Sequence, residues 1–325
     1  MTANDGIVAF QQFEKMNKEN IAVEVSNLTI AYGNFKAVND ISFTVYRGEI
    51  FGFLGANGAG KTTTIRAICG LLTPNSGYIK IDGTGPEDGI SAIKSKIGYM
   101  SQKFTLYSDL SINENLSFAA ALRKIPENIF KSRITELFDF IGLNYPGATL
   151  VKNLPSGTRQ QVALISSILH NPEIIFLDEP TSGVAPEARA KFWELIRKLA
   201  KSGKTVFVTT HYMDEAENCG RIALMHAGKI IALDTPENLK EKTFKEPIFE
   251  IEAEKKIAVG LVKMLLDENI AEIHPYGMYY HLAVKNKDKW ERLLKSSGTL
   301  FKYSKIKPSL EDVFIKVMRE AENER

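Results

Sequence analysis

Ile50-Phe51-Gly52-Phe53-Leu54-Gly55-Ala56-Asn57-Gly58-Ala59-Gly60-Lys61-Thr62-Thr63 passes from an apolar segment through a glycine-rich loop into polar residues suited to open a helix. The spacing from Gly55 to Gly60-Lys61-Thr62 is that of a phosphate cradle. In such a loop, backbone amides wrap a polyphosphate, the lysine reaches its terminal phosphates and the hydroxyl holds magnesium. The context agrees: a buried strand before the loop and a helix after it add a helix N-terminus to the anion site. Gly55, Ala56, Asn57, Gly58, Ala59, Gly60, Lys61, Thr62 and Thr63 are therefore the candidate nucleotide contacts.

Working outward, residues 21–46 alternate apolar and polar with a turn at Gly33-Asn34, as antiparallel strands covered on one face do. Tyr32 closes the first of these strands, where its ring could stack on a base or simply pack half-buried. C-terminal to the loop, 63–72 has helical spacing and Pro74-Asn75-Ser76-Gly77 closes it before a strand at 78–82. A second short strand, 97–100, runs into Ser101-Gln102, and the Gln102 amide could reach a metal-bound phosphate or water. Residues 111–143 are helical in two blocks, 113–122 and 128–141, parted by Ile125-Pro126. Phe104, Leu106, Tyr107 and Leu110 precede them as a partly apolar approach open to a partner helix or to packing within the subdomain.

Asn153-Leu154-Pro155-Ser156-Gly157-Thr158 leads into a helical run at 162–169. Ile174-Ile175-Phe176-Leu177 then reads as a fully buried parallel strand ending in Asp178-Glu179. The carboxyl edge of a doubly wound sheet is where ligands bind, so Asp178 can support magnesium and Glu179 can face a water attacking phosphate. A helix at 186–201 and a strand at 205–209 bring His211 to an equivalent strand end, where it can donate to a transferred phosphoryl group. From 246 the pattern becomes βαββαβ, a ferredoxin-like arrangement. Ser309-Leu310-Glu311-Asp312 caps a last amphipathic helix. No titratable cluster suggesting chemistry is legible in that extension.

Composition narrows the partners. The chain of 325 residues has 41 basic and 39 acidic side chains, a formal charge of +2, so no global field attracts nucleic acid or anionic membrane. Cys69 and Cys219 lack metal-ligand spacing and fit reduced thiols in a cytosolic protein. Residues 1–20 lack the basic start and apolar core of a secretory signal and read as a leader. No apolar run approaches the ~20 residues that span a bilayer.

Together these stretches resemble the ATPase subunit of ATP-binding cassette (ABC) transporters, most closely the drug-exporter branch with a C-terminal extension. The resemblance covers about 21–318. It implies an α/β P-loop NTPase fold with an antiparallel β subdomain and a helical subdomain, plus a small α+β ferredoxin-like domain. The implied boundaries are 1–20 leader, 21–245 nucleotide-binding domain with the helical subdomain at about 104–142, 246–319 accessory domain and 320–325 charged tail. It also implies ATP and Mg2+ as ligands: Tyr32 against adenine, Thr62, Gln102 and Asp178 around the metal, Glu179 as general base and His211 on the γ-phosphate. Gln102 would link the site to transmembrane permease subunits at the cytoplasmic face of the membrane.

Two loops depart from the family pattern. The signature Leu-Ser-Gly-Gly-Gln is here Leu154-Pro155-Ser156-Gly157-Thr158, and Ser-Gly-Leu-Asp is Ser182-Gly183-Val184-Ala185. Proline offers neither hydroxyl nor amide, although Ser156 could supply its own hydroxyl; Ala185 cannot replace a carboxylate. In this family two ATPase chains close head to tail, each nucleotide lying between one P-loop and the other chain's signature. Pairing with a different ATPase chain is therefore the favoured expectation, with a homodimer as the competing one. Two further functional classes stay open: a non-transport cassette ATPase, and a regulatory subunit that binds ATP and barely hydrolyses it.

Overall fold

The computed structural model describes residues 20–102, 106–246, 248–252, 255–297 and 301–323. Residues 1–19 of the leader and Phe104 lie outside them. Packing divides the chain into two compact units between Leu233 and Asp234.

In the first unit, β1 (Ile21–Tyr32) pairs antiparallel with both β2 (Phe35–Tyr46) and β4 (Ser76–Ile81) to form a three-stranded sheet. The larger sheet has six strands. It comprises β3 (Ile50–Leu54), β5 (Ile97–Met100), β6 (Ile174–Asp178), β7 (Thr205–Thr210), β8 (Arg221–His226) and β9 (Lys229–Asp234) in the order β5-β6-β7-β3-β8-β9. Every residue of β6 and β7 is buried. Their apolar centres, residues 174–177 and 206–208, are thus those of central strands covered on both faces. A cluster of phenylalanines sits at the centre, Phe43, Phe51, Phe53, Phe176 and Phe207, with the Phe53 and Phe207 centroids 5.1 Å apart. Burial pushes the Cys69 and Cys219 thiols up, and both are free.

Parallel register does the positioning. Met100 lies opposite Leu177, Asp178 opposite Thr209, and Leu54 opposite Thr210. The strands therefore end on one line, and the residues just beyond them (Gln102, Glu179, His211, Gly55) meet at one edge although the sequence scatters them over more than 150 positions. Helix α1 (Lys61–Ile68) starts directly at the glycine loop. Helices α2 (Ile90–Lys96), α3 (Ile112–Leu122) and α4 (Glu127–Ile141) follow. Ser111 and Glu114 cap α3 reciprocally, and Pro126 is the N-cap of α4, as the break at Ile125-Pro126 predicts. The approach residue Tyr107 is exposed and sets its ring edge-on to exposed Phe118 at 5.3 Å.

Helix α5 (Ser156–Ile168) begins six residues before the run predicted from periodicity. Pro155 is its N-cap, with extended backbone angles suited to a helix entry, so Ser156, Gly157 and Thr158 form its first turn. Pro, Ser, Gly and Thr read individually as turn formers and hide that start. Helix α6 (Pro186–Lys201) starts as expected from Pro186 at its first position, and a single-turn α7 (Met213–Ala216) follows β7.

In the second unit, α8 (Pro236–Thr243) is joined by β10 (Ile248–Glu252), α9 (Lys255–Asp267), β11 (Ala271–Tyr276), β12 (Tyr279–Val284), α10 (Lys287–Ser297), β13 (Lys302–Ile306) and α11 (Leu310–Asn323). The antiparallel sheet order β11-β12-β10-β13 is the ferredoxin-like one. The unit begins at Asp234, whereas residue 246 opens the accessory domain in the sequence reading. The reason is that α8 belongs with α11: Lys316 Nζ donates to Thr243 O at 2.9 Å and lies 4.9 Å over the Phe244 ring. Ile273 and Leu282 point to one face of the sheet with Trp290, whereas His274 and His281, one position away on each strand, belong to the opposite face. There, Asp312 from α11 meets both. A buried titratable cluster therefore exists where the sequence suggests none.

Candidate functional site

The glycine loop leaves the C-terminal end of β3 and turns sharply at Gly60, where φ is +109° and a Cβ would lie 2.4 Å from the Ala37 carbonyl oxygen. Only glycine meets both conditions. Lys61 is buried, and its ammonium donates to the carbonyls of Gly55 at 2.8 Å and Ala56 at 3.2 Å. It also lies 3.5 Å from Glu179 Oε1. Burial pulls the Lys61 ammonium below its ordinary value, while the Glu179 and Asp178 carboxylates favour its charged form.

Asp178 ends β6 in full burial. Its Oδ1 accepts from the Thr62 hydroxyl at 3.0 Å and from the Thr209 hydroxyl at 2.7 Å. Its Oδ2, equally buried, has no hydrogen-bond partner among the described residues. Burial raises the Asp178 carboxyl, and the two hydroxyls oppose that shift. An unpartnered carboxylate oxygen beside a threonine hydroxyl is the donor set that a hard divalent cation takes. The Thr62 and Asp178 side chains thus fit a magnesium ion.

Glu179 adopts a left-handed backbone with φ 47°, a conformation costing a non-glycine residue about 1 kcal/mol or more. Its amide is held by the carbonyl and the hydroxyl of Thr209 at 3.2 and 2.9 Å. The bend turns its carboxylate into the edge, where Oε2 accepts from Gln102 Nε2 at 2.9 Å and lies 3.3 Å from His211 Nδ1. The His211 ring packs at a tilt of 37° against Tyr212, centroids 4.1 Å apart, and Tyr212 in turn carries the Arg189 guanidinium 4.0 Å from its centroid. Lys61, Gln102 and His211 thus converge on one carboxylate. Tyr32 is exposed at the end of β1, with its ring free to stack.

The structure adds residues that motif reading missed. Thr209 binds both acidic residues, the Asp178 carboxylate by its hydroxyl and the Glu179 amide by its oxygen. Beneath it, buried Glu215 accepts from the Thr181 hydroxyl at 2.6 Å and the Thr210 hydroxyl at 2.7 Å, with Arg189 Nε 3.1 Å away. A threonine pair just before His211 was the only local signal.

The signature residues lie elsewhere on this unit, at the start of α5. Pro155 is exposed, and Ser156, Gly157 and Thr158 are half-buried. A Cβ on Gly157 would meet the Ala188 Cβ at 2.9 Å, so the starts of α5 and α6 are neighbours. Ala185 is the N-cap of α6 and makes no side-chain capping bond. The two departures from the family pattern thus occupy adjacent helix entries, and both leave first-turn amides without a side-chain cap.

Among the described residues, no helix is long and apolar enough to cross a membrane. Residues 38–182 match the family model for ABC transporters. The chain is 42% identical over 221 residues, 68% of its length, to "Probable multidrug ABC transporter ATP-binding protein YbhF" of Escherichia coli (strain K12), and spans only 38% of that relative. It is 32% identical over 298 residues to the Nod factor export ATP-binding protein I of Rhizobium leguminosarum bv. viciae, covering 91% of this chain and 94% of the relative. A solved dimeric ATP-binding cassette in a post-hydrolysis state with ADP and Pi is 27% identical, with TM-score 0.59 over 66% of this chain and 98% of its own. The chain belongs to the family of ABC transporter ATP-binding proteins, which are nucleotide-binding ATPases.

Proposed function

We propose that this chain is the ATP-hydrolysing subunit of a membrane exporter, acting at the cytoplasmic face on a separate permease. The observation that supports this reading is the convergence of Lys61, Gln102 and His211 on the Glu179 carboxylate, one strand end from Asp178. Amides of Gly55 to Thr63 wrap the phosphates, Lys61 bridges the terminal ones and Tyr32 stacks on adenine. Thr62 and Asp178, with Gln102 at the rim, would hold magnesium, which when bound neutralises phosphate oxygens. Glu179 takes a proton from the attacking water as that oxygen bonds to the γ-phosphorus and the bridging bond to ADP breaks. His211 donates a hydrogen bond to a γ-phosphoryl oxygen.

The helical segment at about 104–142 docks the permease, and Gln102 couples the site to it. Export rests on the relative named a Nod factor export ATP-binding protein, beside one named a multidrug ABC transporter ATP-binding protein. The catalytic unit is a head-to-tail dimer, a different ATPase chain being the favoured partner because Pro155 and Ala185 weaken only the face offered across the interface. A mainly regulatory subunit is the second reading, supported by those same two residues.

The test is hydrolysis by the purified chain alone and with a co-expressed permease. Permease-stimulated turnover that Glu179→Gln abolishes while ATP stays trapped supports the active subunit. A Glu179→Gln chain with unchanged turnover sinks it. Robust turnover of the chain alone that disappears in Ser156→Ala overturns the heterodimer.

A further inference from the structure

The second unit holds a cluster that the nucleotide chemistry does not use. His274 and His281 are cross-strand partners on β11 and β12, and Glu250 on β10 lies opposite His281, so the three form a row across the sheet. Asp312, in the first turn of α11, is fully buried above that row. His274 Nε2 and His281 Nδ1 both approach the same oxygen, Asp312 Oδ1, at 2.8 and 2.7 Å. The other oxygen, Oδ2, is occupied by the amide and hydroxyl of Ser309 at 2.7 and 2.8 Å. His274 and His281 are at most 9% exposed, and the three converging atoms lie within 4.8 Å of one another.

The proton count on His281 is the informative part. Its Nε2 is buried with no hydrogen-bond partner among the described residues, and Glu250 Oε2 lies 3.6 Å from it. A neutral imidazole has one N–H. If that proton sits on Nδ1 and serves Asp312, a bare nitrogen lone pair faces the Glu250 carboxylate. If it sits on Nε2, a bare Nδ1 faces the Asp312 carboxylate. Positive charge at Nδ1 resolves both, and where a metal ion supplies it the ion joins the ring to Asp312 and leaves the N–H on Nε2, aimed at Glu250. That is the carboxylate–histidine–metal arrangement of metal sites with an oriented ligand ring.

We propose that His274, His281 and Asp312 bind one divalent transition-metal ion of the zinc class, with Glu250 orienting His281 from behind. Two imidazoles and one carboxylate select Zn2+ or its neighbours over Mg2+ and Ca2+, which prefer all-oxygen shells. Ligands about 2.0–2.1 Å from a tetrahedral ion stand about 3.3 Å apart. Each ring nitrogen therefore needs to retreat from Asp312 Oδ1 by about half an ångström, the two nitrogens, within 4.8 Å of each other, need to settle at that same spacing, and a fourth ligand comes from water. The ion would tie β11, β12 and the start of α11 together, making the accessory unit's stability depend on metal supply.

The test uses the full chain, stripped with a chelator and titrated with Co2+ and Zn2+ in excess Mg2+. The expected result is uptake of one Co2+ per chain with visible bands of a tetrahedral site, displaced by Zn2+, and a rise in Tm with Zn2+. His274→Gln keeps a hydrogen-bond donor toward Asp312 and should lose the bands and the Tm rise while keeping nucleotide binding. Glu250→Gln, which removes no ligand and leaves the core intact, should weaken affinity about 10- to 100-fold. No uptake, or uptake unchanged in both variants, overturns the proposal and leaves the cluster a hydrogen-bonded histidine–aspartate brace.

Discussion

One unit of this molecule carries two candidate faces built by opposite means. At the P-loop face, buried side chains are tied to one another: Lys61 to Glu179, Glu179 to Gln102, and Asp178 to Thr62 and Thr209. At the face formed by the starts of α5 and α6, the N-caps are Pro155 and Ala185, and neither makes a side-chain cap. There the backbone amides of the first turns, with the Ser156 and Thr158 hydroxyls, are the available polar groups. The difference separates a face whose buried polar groups are paired with one another from one whose two helix entries lack a side-chain cap; under the proposed function the first binds phosphate and moves the proton, and the second offers a partner's nucleotide a reduced donor set.

The sharpest way to break this comparison is to disable the complete face. Glu179→Gln should lower turnover by roughly 10²- to 10⁴-fold, the range for removing a positioned general base, with nucleotide affinity retained. Single-turnover hydrolysis beside nucleotide binding measures both. The reduced face can instead be repaired. Pro155→Ser restores one hydroxyl donor, and such a donor at transition-state charge is worth about 3 kcal/mol, roughly 10²-fold in rate. In a homodimer, steady-state hydrolysis should rise by that order; in a heterodimer the gain should be confined to the partner's site. No gain in either assembly would mean that Ser156 already supplies the missing group.

A third test probes the far end of α5, independently of nucleotide. His170, just past that helix, has its Nε2 2.9 Å from the Ile97 carbonyl and 3.0 Å from Arg123 Nη1. Burial, and then the Arg123 charge, depress it from 6.5 to about 4. The neutral ring is therefore the folded form, and the unfolded chain binds the extra proton between those values. Stability is untouched above about pH 6.5 and falls as pH drops toward 4, by less than the roughly 3 kcal/mol of the full shift because solvent screens the partly exposed ring. Denaturant midpoints near neutral pH and near pH 4.5 should converge in His170→Gln relative to the parent chain.

The P-loop was legible because its chemistry is contiguous, from Gly55 to Thr63. Asp178, Glu179 and His211 were legible because each follows an apolar run long enough to read as a buried strand. Their meeting was not, since it follows from the register that sets Met100 against Leu177 and Leu54 against Thr210. Thr209 does not stand out in the sequence because a threonine near a strand end is unremarkable until its hydroxyl is seen on Asp178. The His274–His281–Asp312 cluster was invisible for a related reason. Its members are separated by a hairpin and a further βα stretch, and only period-two alternation combined with the docking of α11 puts them on one face. Local pattern finds chemistry that is local or that ends an element; it does not find chemistry that topology assembles.

The smallest expected effect tests the reduced face as a matter of helix physics. Ala185 has φ −60° and ψ 149°, the extended geometry in which an aspartate accepts from the amides two or three residues on. Ala185→Asp should therefore stabilise α6 by about 1 kcal/mol, through the cap and through negative charge at a helix N-terminus. That amounts to a rise in Tm of about 2–4 °C for a unit of this size. A Tm gain without any change in hydrolysis would assign Ala185 to fold stability. A change in hydrolysis in the assembled dimer, out of proportion to the Tm gain, would place the start of α6 within the partner's nucleotide site, since the capping term acts on the folded chain alike in monomer and dimer.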